Sequence, residues 1–204
     1  MAVAEAVVRM PPQLWVTWGL TRHRTLIEGG AILVVGSNSV TVESVLLALG
    51  AKSVVVAEYA GITYDHPALS SVTDLTTLPA GSFDAIVAIS ALDHDGLGRY
   101  GDPLAPDGDL LTMDALARLL RPEGKLFLTV PVGPDAVGWN LMRRYGPIRL
   151  PLLLAGWDVE ERIGWDATVL TTPRAISSPV EPLHVLRIPP PPSPPPTPAH
   201  ASEL

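Results

Sequence analysis

A mostly apolar run from Asp84 to Ser90 constrains the fold of this chain more than any other stretch. It has the length of a β-strand, and its near-continuous apolar character is typical of a parallel strand that is covered on both faces. Open parallel sheets bind ligands outside the carboxyl ends of their strands. The loop that follows this strand carries Asp93, His94, Asp95, Arg99, Tyr100 and Asp102. We therefore expect a functional site at this end of the strand.

Other apolar runs of strand length alternate with helical patterns along the chain. The patterns predict strands at 31–35, 52–58, 84–90 and 125–131, and helices at 41–49 and 109–121. They also predict a short strand at 71–73, a mainly helical segment at 140–157, and closing strands at 158–164 and 183–188. This alternation indicates an α/β fold, a Rossmann-like doubly wound sheet that is mostly parallel.

The composition divides the chain into three parts. Residues 1–30 contain paired prolines and a Gly-Gly breaker, which predict an irregular or partly helical N-terminal cover. Residues 31–188 form the predicted Rossmann-like domain. Residues 189–204 read PPPPSPPPTPAHASEL and predict a disordered Pro-rich tail in polyproline II form, because proline cannot donate ladder hydrogen bonds. The tail is either a spacer or, through residues 189–198, a ligand for a proline-binding domain.

Charge and residue usage limit the classes of partner. A net charge of -7 disfavours an extended phosphate-binding surface, so we expect no nucleic-acid partner. The chain has no cysteine, which excludes disulfides and thiolate metal sites. No window approaches the roughly 18 apolar residues of a membrane span, and the first ten residues do not resemble a secretory signal. The expectation is a soluble intracellular protein.

Four segments occur in a family-specific order: ILVVGSNS, VVVAE, DLTTLPAGSFDAIVAISALDH and RLLRPEGKLFLTVP. Over residues 31–188 they resemble the class I S-adenosylmethionine-dependent methyltransferase fold. More narrowly, HDGLGRYGDPL followed by PEG, VPVG, WN, RYGPIRL and GW closely resembles the family catalogued as domain of unknown function 268. The resemblance implies a methyltransferase-like protein, with S-adenosylmethionine as the cofactor and an unknown small or glycan-like molecule as the methyl acceptor.

The turn after the first strand departs from the methyltransferase pattern. That family usually has an acidic residue where this chain has Val34, and two further glycines within the stretch that is Ser37 to Ser39 here. Gly36 is present, and the resemblance implies that Gly36 and Ser37 contact the methionine part of the cofactor. The structural alternative is an ordinary strand-to-helix turn with Ser39 as the helix N-cap.

The resemblance assigns three more cofactor contacts to the ends of later strands. Glu58 would accept both ribose hydroxyls, Asp74 would contact the adenine ring, and Ser90 would lie beside the methyl group. Glu58 could instead be a solvated strand end, and Asp74 could cap the next element of secondary structure.

The loop after the opening strand contains the predicted catalytic residues. His94 is the candidate general base, because its unperturbed pKa lies near neutrality, and Asp93 is its neighbour. Asp95, Arg99 and Tyr100 are the predicted substrate contacts in this loop. A metal site is disfavoured because the spacing of the carboxylates and the imidazole matches no established metal-binding loop. A purely structural loop, in which Arg99 pairs with a neighbouring aspartate, also explains these residues.

The segment 139–145 follows the VPVG turn, and the resemblance places it over the same end of the sheet. Asn140 and Arg143 are predicted to contact the substrate there, and Arg143 and Arg144 would form a lid with two cations. An anionic or sugar-like substrate would suit such a lid. The structural alternative is an amphipathic helix that packs through Trp139 and Tyr145.

Two other functions stay open. A non-catalytic Rossmann-like binding module, or pseudo-methyltransferase, for a nucleotide-type ligand or a protein partner would explain the departures at Val34 and 37–39. An open pocket above Gly36 would favour the enzyme, and a filled one would favour the module. The third function is a scaffold that partners recruit through the Pro-rich tail.

Overall fold

The structure, a computed structural model, describes residues 13–37, 39–176 and 179–190. The helices are α1 (Gln13–Arg22), α2 (Arg24–Ile27), α3 (Thr41–Ala48), α4 (Gly108–Leu119) and α5 (Arg149–Leu153). The strands are β1 (Ala31–Val35), β2 (Ser53–Ala57), β3 (Leu69–Val72), β4 (Phe83–Ile89), β5 (Leu120–Thr129), β6 (Ala136–Gly138), β7 (Met142–Arg144), β8 (Asp158–Ile163) and β9 (Leu183–Arg187). Most of the predicted tail, 191–204, lies outside the described residues, so its role as a proline-binding-domain ligand stays a prediction.

Seven strands form one sheet in the order β3-β2-β1-β4-β5-β9-β8. The neighbours from β3 to β5 pair in parallel, whereas β9 runs antiparallel to both β5 and β8. The chain leaves β1 in one direction towards β3 and returns to place β4 on the other side of β1. The predicted doubly wound, mostly parallel sheet is therefore confirmed, with its switch point between β1 and β4.

Apolar side chains on the two faces of the sheet form two cores. On one face, Leu33, Ile86 and Leu128 pack against α4. On the other face, apolar residues of the strands pack against α1, α2 and α3. Helices cover both faces, which explains why β4 reads as a continuous apolar run. No helix within the described ranges is long and apolar enough to cross a membrane.

The prediction of a mainly helical segment at 140–157 is wrong. β6 and β7 form an antiparallel hairpin in which Val137 pairs with Arg143, and α5 is a short helix. Trp139 is 71% exposed and Tyr145 is fully buried, so the two do not share an amphipathic helix. The apolar pattern suits a helix, but tertiary contacts of Tyr145 and its neighbours hold this segment in another conformation.

Those contacts converge on Asp109, a fully buried carboxylate in the first turn of α4. The Tyr145 hydroxyl and the Arg149 Nε–H donate to Asp109 Oδ2 at 3.0 and 3.1 Å, and Arg143 Nε lies 3.7 Å from Oδ1. Burial and the neighbouring Asp109 charge raise the pKa of Tyr145 well above its ordinary value. We call these four residues the Asp109 cluster; it fastens β7 and α5 to α4.

Candidate functional site

A cavity of about 730 Å³ opens at the carboxyl ends of β1 to β4. Its volume lies within the range of about 300–1,000 Å³ that is typical of small-molecule sites. Residues that follow each of these strands line its wall: Gly36 and Ser37 after β1, Glu58 after β2, Asp74 after β3 and Ser90 after β4. The structure therefore brings the five residues predicted to contact the cofactor to one cavity, at the switch point of the sheet. We call it the strand-end cavity.

The backbone of Gly36 forms part of the wall. Its φ of 68° lies in the left-handed region, and its N–H donates to the carbonyl of Ala57 at 3.0 Å. A Cβ at this position would lie 2.5 Å from the Cβ of Ala91, in the loop after β4. Packing of the turn against Ala91 therefore requires glycine at position 36. Because glycine has no side chain, the backbone of the turn is exposed to the cavity.

The alternative that Ser39 caps the following helix is wrong. Val40 occupies the N-cap of α3 and makes no side-chain capping bond, while the Ser39 hydroxyl donates to Thr41 Oγ1 at 3.2 Å. Asn38, between the two serines of the turn, lies outside the described residues.

Glu58 and Asp74 present carboxylates at the outer side of the cavity. The Glu58 side chain is partly exposed, and the Ala60 N–H donates to its Oε1 at 3.5 Å. Asp74 Oδ1 accepts bonds from the N–H and the hydroxyl of Thr76, both at 2.8 Å. These bonds lower the pKa of Asp74 and show that it caps the 3-10 helix at Leu75–Thr77. Asp74 therefore has the predicted structural role as well as its place in the cavity wall.

The strand-end cavity is strongly acidic. Its described lining includes Glu58, Asp74, Asp95 and Asp102 and no lysine or arginine. Burial, and then the charges of Asp95, Asp102, Glu58 and Asp74, raise the pKa of the lining residue Tyr59 to about 12. The surrounding negative potential favours a ligand that carries positive charge.

Asp102 organises the loop that lines one side of the cavity. Its carboxylate accepts the N–H groups of Gly98 and Tyr100 at 3.0 and 3.1 Å. Burial would raise the pKa of Asp102, but these backbone bonds outweigh it and the pKa is lowered. Arg99 is exposed and lies over the Tyr100 ring, 5.6 Å from its centroid. In the described part of the chain, no group of three or more His, Asp or Glu side chains could hold a metal ion.

Asp93 and His94 form a pair at the end of β4. His94 Nδ1 lies 2.6 Å from the carbonyl oxygen of Leu141 and donates to it, so Nε2, 3.4 Å from Asp93 Oδ2, is the basic position. Burial lowers the pKa of His94 and raises that of Asp93 to about 7. We interpret the pair as neutral His94 beside a protonated Asp93, because burial disfavours both charged forms. His94 lines the cavity, and Asp93 lies behind it with only 1% of its surface exposed.

A family model described as "Caenorhabditis protein of unknown function, DUF268" matches residues 29–167, more than half of the chain. The chain belongs to the DUF268 family. No curated protein sequence matches it.

Solved structures of low sequence identity show which fold this DUF268 member has. The 1,6-didemethyltoxoflavin-N1-methyltransferase of Burkholderia thailandensis, solved with 1,6-didemethyltoxoflavin and S-adenosylhomocysteine, is 18% identical with a TM-score of 0.62; the match covers 91% of this chain and 80% of that one. N-methyltransferase NodS of Bradyrhizobium japonicum WM9 is 16% identical with a TM-score of 0.59, covering 89% and 98%. The [4+2]-cyclase SpnF is 19% identical with a TM-score of 0.52, covering 72% and 57%. The fold is thus the predicted methyltransferase-like one, which the cyclase shares.

The predicted lid with two cations does not form in this DUF268 member. Arg143 is buried and donates to the backbone carbonyls of Asp95, Ala105 and Pro106. Arg144 is also buried and donates to the carbonyls of Pro134 and Arg174. Neither arginine lines the strand-end cavity, and Arg99 and Asn140 are exposed outside its wall. Of the predicted substrate contacts, Asp95 and Tyr100 line the cavity.

Glu181 is a site residue that the sequence reasoning missed. Its carboxylate accepts a hydrogen bond from the hydroxyl of Ser90, a residue that lines the strand-end cavity. Burial raises the pKa of Glu181. The two residues are 91 positions apart, and Glu181 belongs to none of the recognised motifs. The available signal was a single acidic residue in the apolar stretch PVEPLHVL, directly before a predicted closing strand.

The raised pKa of Asp93 predicts a specific pH dependence of stability. Its folded value of about 7 lies above an unfolded value of about 4, so the folded state binds more protons between these pH values. The contribution of Asp93 to the free energy of unfolding therefore falls as the pH rises from about 4 to about 7. We expect Asp93→Asn to gain stability relative to the parent protein over this window, by up to about 1.4 kcal/mol per pH unit, and to level off above it.

Urea unfolding of both proteins between pH 5 and pH 8 measures this difference. Asp114→Asn, at an exposed position of α4, is the control and should show no such trend. A difference between Asp93→Asn and the parent protein that does not change with pH would contradict the protonated state of Asp93.

Proposed function

We propose that the chain binds S-adenosylmethionine in the strand-end cavity and transfers its methyl group to a small-molecule acceptor. The observation that carries the proposal is the convergence of Gly36, Glu58 and Asp74, from three separate strand ends, on one open cavity. When bound, S-adenosylmethionine supplies a methyl group attached to a positively charged sulfur atom. The acidic lining of the cavity suits that charge.

Each wall residue has a distinct task in this proposal. The Gly36 turn lets the methionine part lie against backbone, because the residue presents no side chain. Glu58, partly exposed at the end of β2, would accept the two ribose hydroxyls. Asp74 would accept the adenine amino group while Oδ1 keeps its bonds to Thr76. The methyl end would then lie near Ser90, at the end of β4.

The chain also supplies groups that can move a proton near neutral pH. Burial raises the pKa of Asp95 to about 6 and that of Asp93 to about 7. Groups with such values exchange protons readily at physiological pH. His94 lines the cavity beside Asp93, and above about pH 7, where Asp93 ionises, the Asp93 carboxylate would stabilise a proton taken up at Nε2 of His94. This pair would serve an acceptor that must lose a proton during methylation.

Replacing Glu58 tests the assignment of the ribose site. Glu58→Ala is expected to weaken S-adenosylhomocysteine binding about 10- to 100-fold, because two hydrogen bonds to a charged group are lost. Isothermal titration calorimetry with S-adenosylmethionine and S-adenosylhomocysteine measures the change. Asp65→Ala is the matched control, since Asp65 is an exposed acid just beyond β2 that does not line the cavity.

Two outcomes would contradict the proposal at different levels. If neither nucleoside gives heat with the parent protein at millimolar concentration, the chain does not use this cofactor. If the parent protein binds and Glu58→Ala binds equally well, the ribose lies elsewhere and the assignment of Glu58 is wrong.

A non-catalytic binding module remains the second candidate, and the position of Val34 favours it. Val34, at the position where the methyltransferases usually have an acid, is 2% exposed and packs in the core beneath α1 and α3. The chain therefore lacks one polar group next to the methionine end of the cavity. A module would bind S-adenosylhomocysteine as the enzyme does, but would transfer no methyl group when incubated with radiolabelled S-adenosylmethionine and fractionated cell extract.

A further inference from the structure

A second cavity of about 590 Å³ lies between α1 and α3, at the same edge of the sheet as the strand-end cavity but over the other face. Its wall is mostly apolar and includes Trp15 and Leu20 from α1, Val42 and Val45 from α3, and Ile89 from β4. We call it the α1/α3 groove. A half-open apolar hollow of this size can bury a compact ring-containing molecule.

Glu181 is the only charged residue among the described residues that line the α1/α3 groove. A carboxylate beside an apolar wall is costly unless hydrogen bonds compensate it. The Ser90 hydroxyl supplies one such bond. Further N–H or O–H donors would be stabilised at the remaining acceptor positions of Glu181, and an anion would be repelled.

Ser90 connects the groove to the strand-end cavity. Ser90 lines that cavity, its hydroxyl donates to Glu181, and its backbone N–H donates to the hydroxyl oxygen of Thr129, another groove residue, at 3.1 Å. Ser90 adopts a left-handed φ of 47°, as the chain turns away from the end of β4. The two cavities therefore adjoin where the Ser90 hydroxyl bonds to Glu181, and a group bound at Glu181 lies next to the place proposed for the methyl end of the cofactor.

We propose that the α1/α3 groove is the acceptor site and that it holds an uncharged or cationic small molecule with a flat apolar body and an N–H or O–H group bonded to Glu181. This inference rests on the proposed function, because an acceptor is required only if a methyl group is transferred. It replaces the sugar-like or anionic substrate that the predicted cationic lid would have suited. Hydroxyls of Thr17, Ser39 and Thr41 at the groove would orient polar edges of the ligand.

A matched pair of probes tests the chemistry of the groove. 2-Naphthol and 2-naphthoate share one ring system, but the first offers an O–H donor and the second carries a negative charge. We expect saturable binding of 2-naphthol to the full chain in calorimetry, and binding of 2-naphthoate that is at least tenfold weaker. Glu181→Gln should reduce this preference to less than threefold, because it removes the charge and keeps the shape.

Filling the groove tests its location. Val45→Phe and Thr17→Phe, from opposite walls, should each weaken 2-naphthol binding at least tenfold, and Thr17 is exposed enough to accept the larger side chain without loss of folding. Ser44→Phe is the control, because Ser44 is exposed on α3 and does not line the groove. All three variants should bind S-adenosylhomocysteine as the parent protein does.

The titrations separate this inference from the proposed function. If S-adenosylhomocysteine binds and 2-naphthol does not, or binds equally to all variants, the groove assignment is overturned and the proposed function stands. If 2-naphthol binds and neither nucleoside does, the groove is not an acceptor site. Binding of 2-naphthol only after removal of residues 1–12 would also overturn the assignment, since the chain itself would then occupy the groove.

Discussion

Asp109→Ala is expected to lower the free energy of unfolding by about 3–5 kcal/mol, because the Tyr145 phenol and the Arg149 guanidinium lose their acceptor and the buried Arg143 loses its neighbouring negative charge. The side chain of Arg143 is only 4% exposed, and Tyr145 is fully buried. Urea denaturation monitored by circular dichroism measures the loss. The hairpin should also loosen, since Arg143 lies within β7.

Asp107→Ala is a close control for this experiment. Asp107 pairs with the same Arg149 at 3.2 Å, but its side chain is 65% exposed. An exposed ion pair contributes at most about 1 kcal/mol, so the two aspartates should differ several-fold in effect. Equal losses for Asp107→Ala and Asp109→Ala would show that the Asp109 cluster does not fasten the hairpin to α4.

Gly36→Ala should be the most damaging single substitution in the strand-end cavity. A left-handed φ of 68° costs an alanine about 1–2 kcal/mol, and the added Cβ would also lie 2.5 Å from that of Ala91. Relief of this clash would move the turn after β1 or the loop after β4, and both line the cavity. We therefore expect Gly36→Ala to lower the free energy of unfolding by more than the backbone strain of the left-handed φ alone would. We also expect it to weaken binding of S-adenosylhomocysteine at least tenfold.

The chain offers controls for both parts of this effect. Gly81 has a left-handed φ of 60° with nothing within 4 Å of an added Cβ, so Gly81→Ala measures the backbone cost alone. Combining Gly36→Ala with Ala91→Gly removes the clash and should restore part of the stability. If Gly36→Ala costs no more than Gly81→Ala, the close approach of the two loops is not the reason for glycine at this position.

The sheet could be predicted because strands that are buried on both faces consist mostly of apolar residues. β4 is covered by helices on both faces, so Ile86 and Val87, which point to opposite cores, are both apolar. The strand ends were also predictable as a group, since parallel strands bring residues such as Glu58 and Asp74 to one edge. The sequence was therefore enough to predict the fold and several of the residues that line the strand-end cavity.

The hairpin of β6 and β7 and the α1/α3 groove depend on contacts between distant parts of the chain. The segment that holds Arg143 and Tyr145 has a pattern that suits a helix, but its contacts with the buried carboxylate of Asp109, 36 positions before Tyr145, favour another conformation. Arg143 was predicted to face a substrate because the resemblance placed its segment over the ligand-binding end of the sheet, yet three backbone carbonyls satisfy it in the interior. Glu181 reaches Ser90 only through the folding of the closing strands.

A crystal structure of the chain with S-adenosylhomocysteine would show whether the strand-end cavity binds the cofactor and in which orientation. We expect the ribose hydroxyls on the carboxylate of Glu58, the adenine ring beside Asp74, and the amino-acid end against the backbone of Gly36. The sulfur atom should then lie near Ser90, at the junction with the α1/α3 groove. Density for the nucleoside in the α1/α3 groove, or a strand-end cavity left empty at millimolar ligand, would show that the strand-end cavity is not the cofactor site.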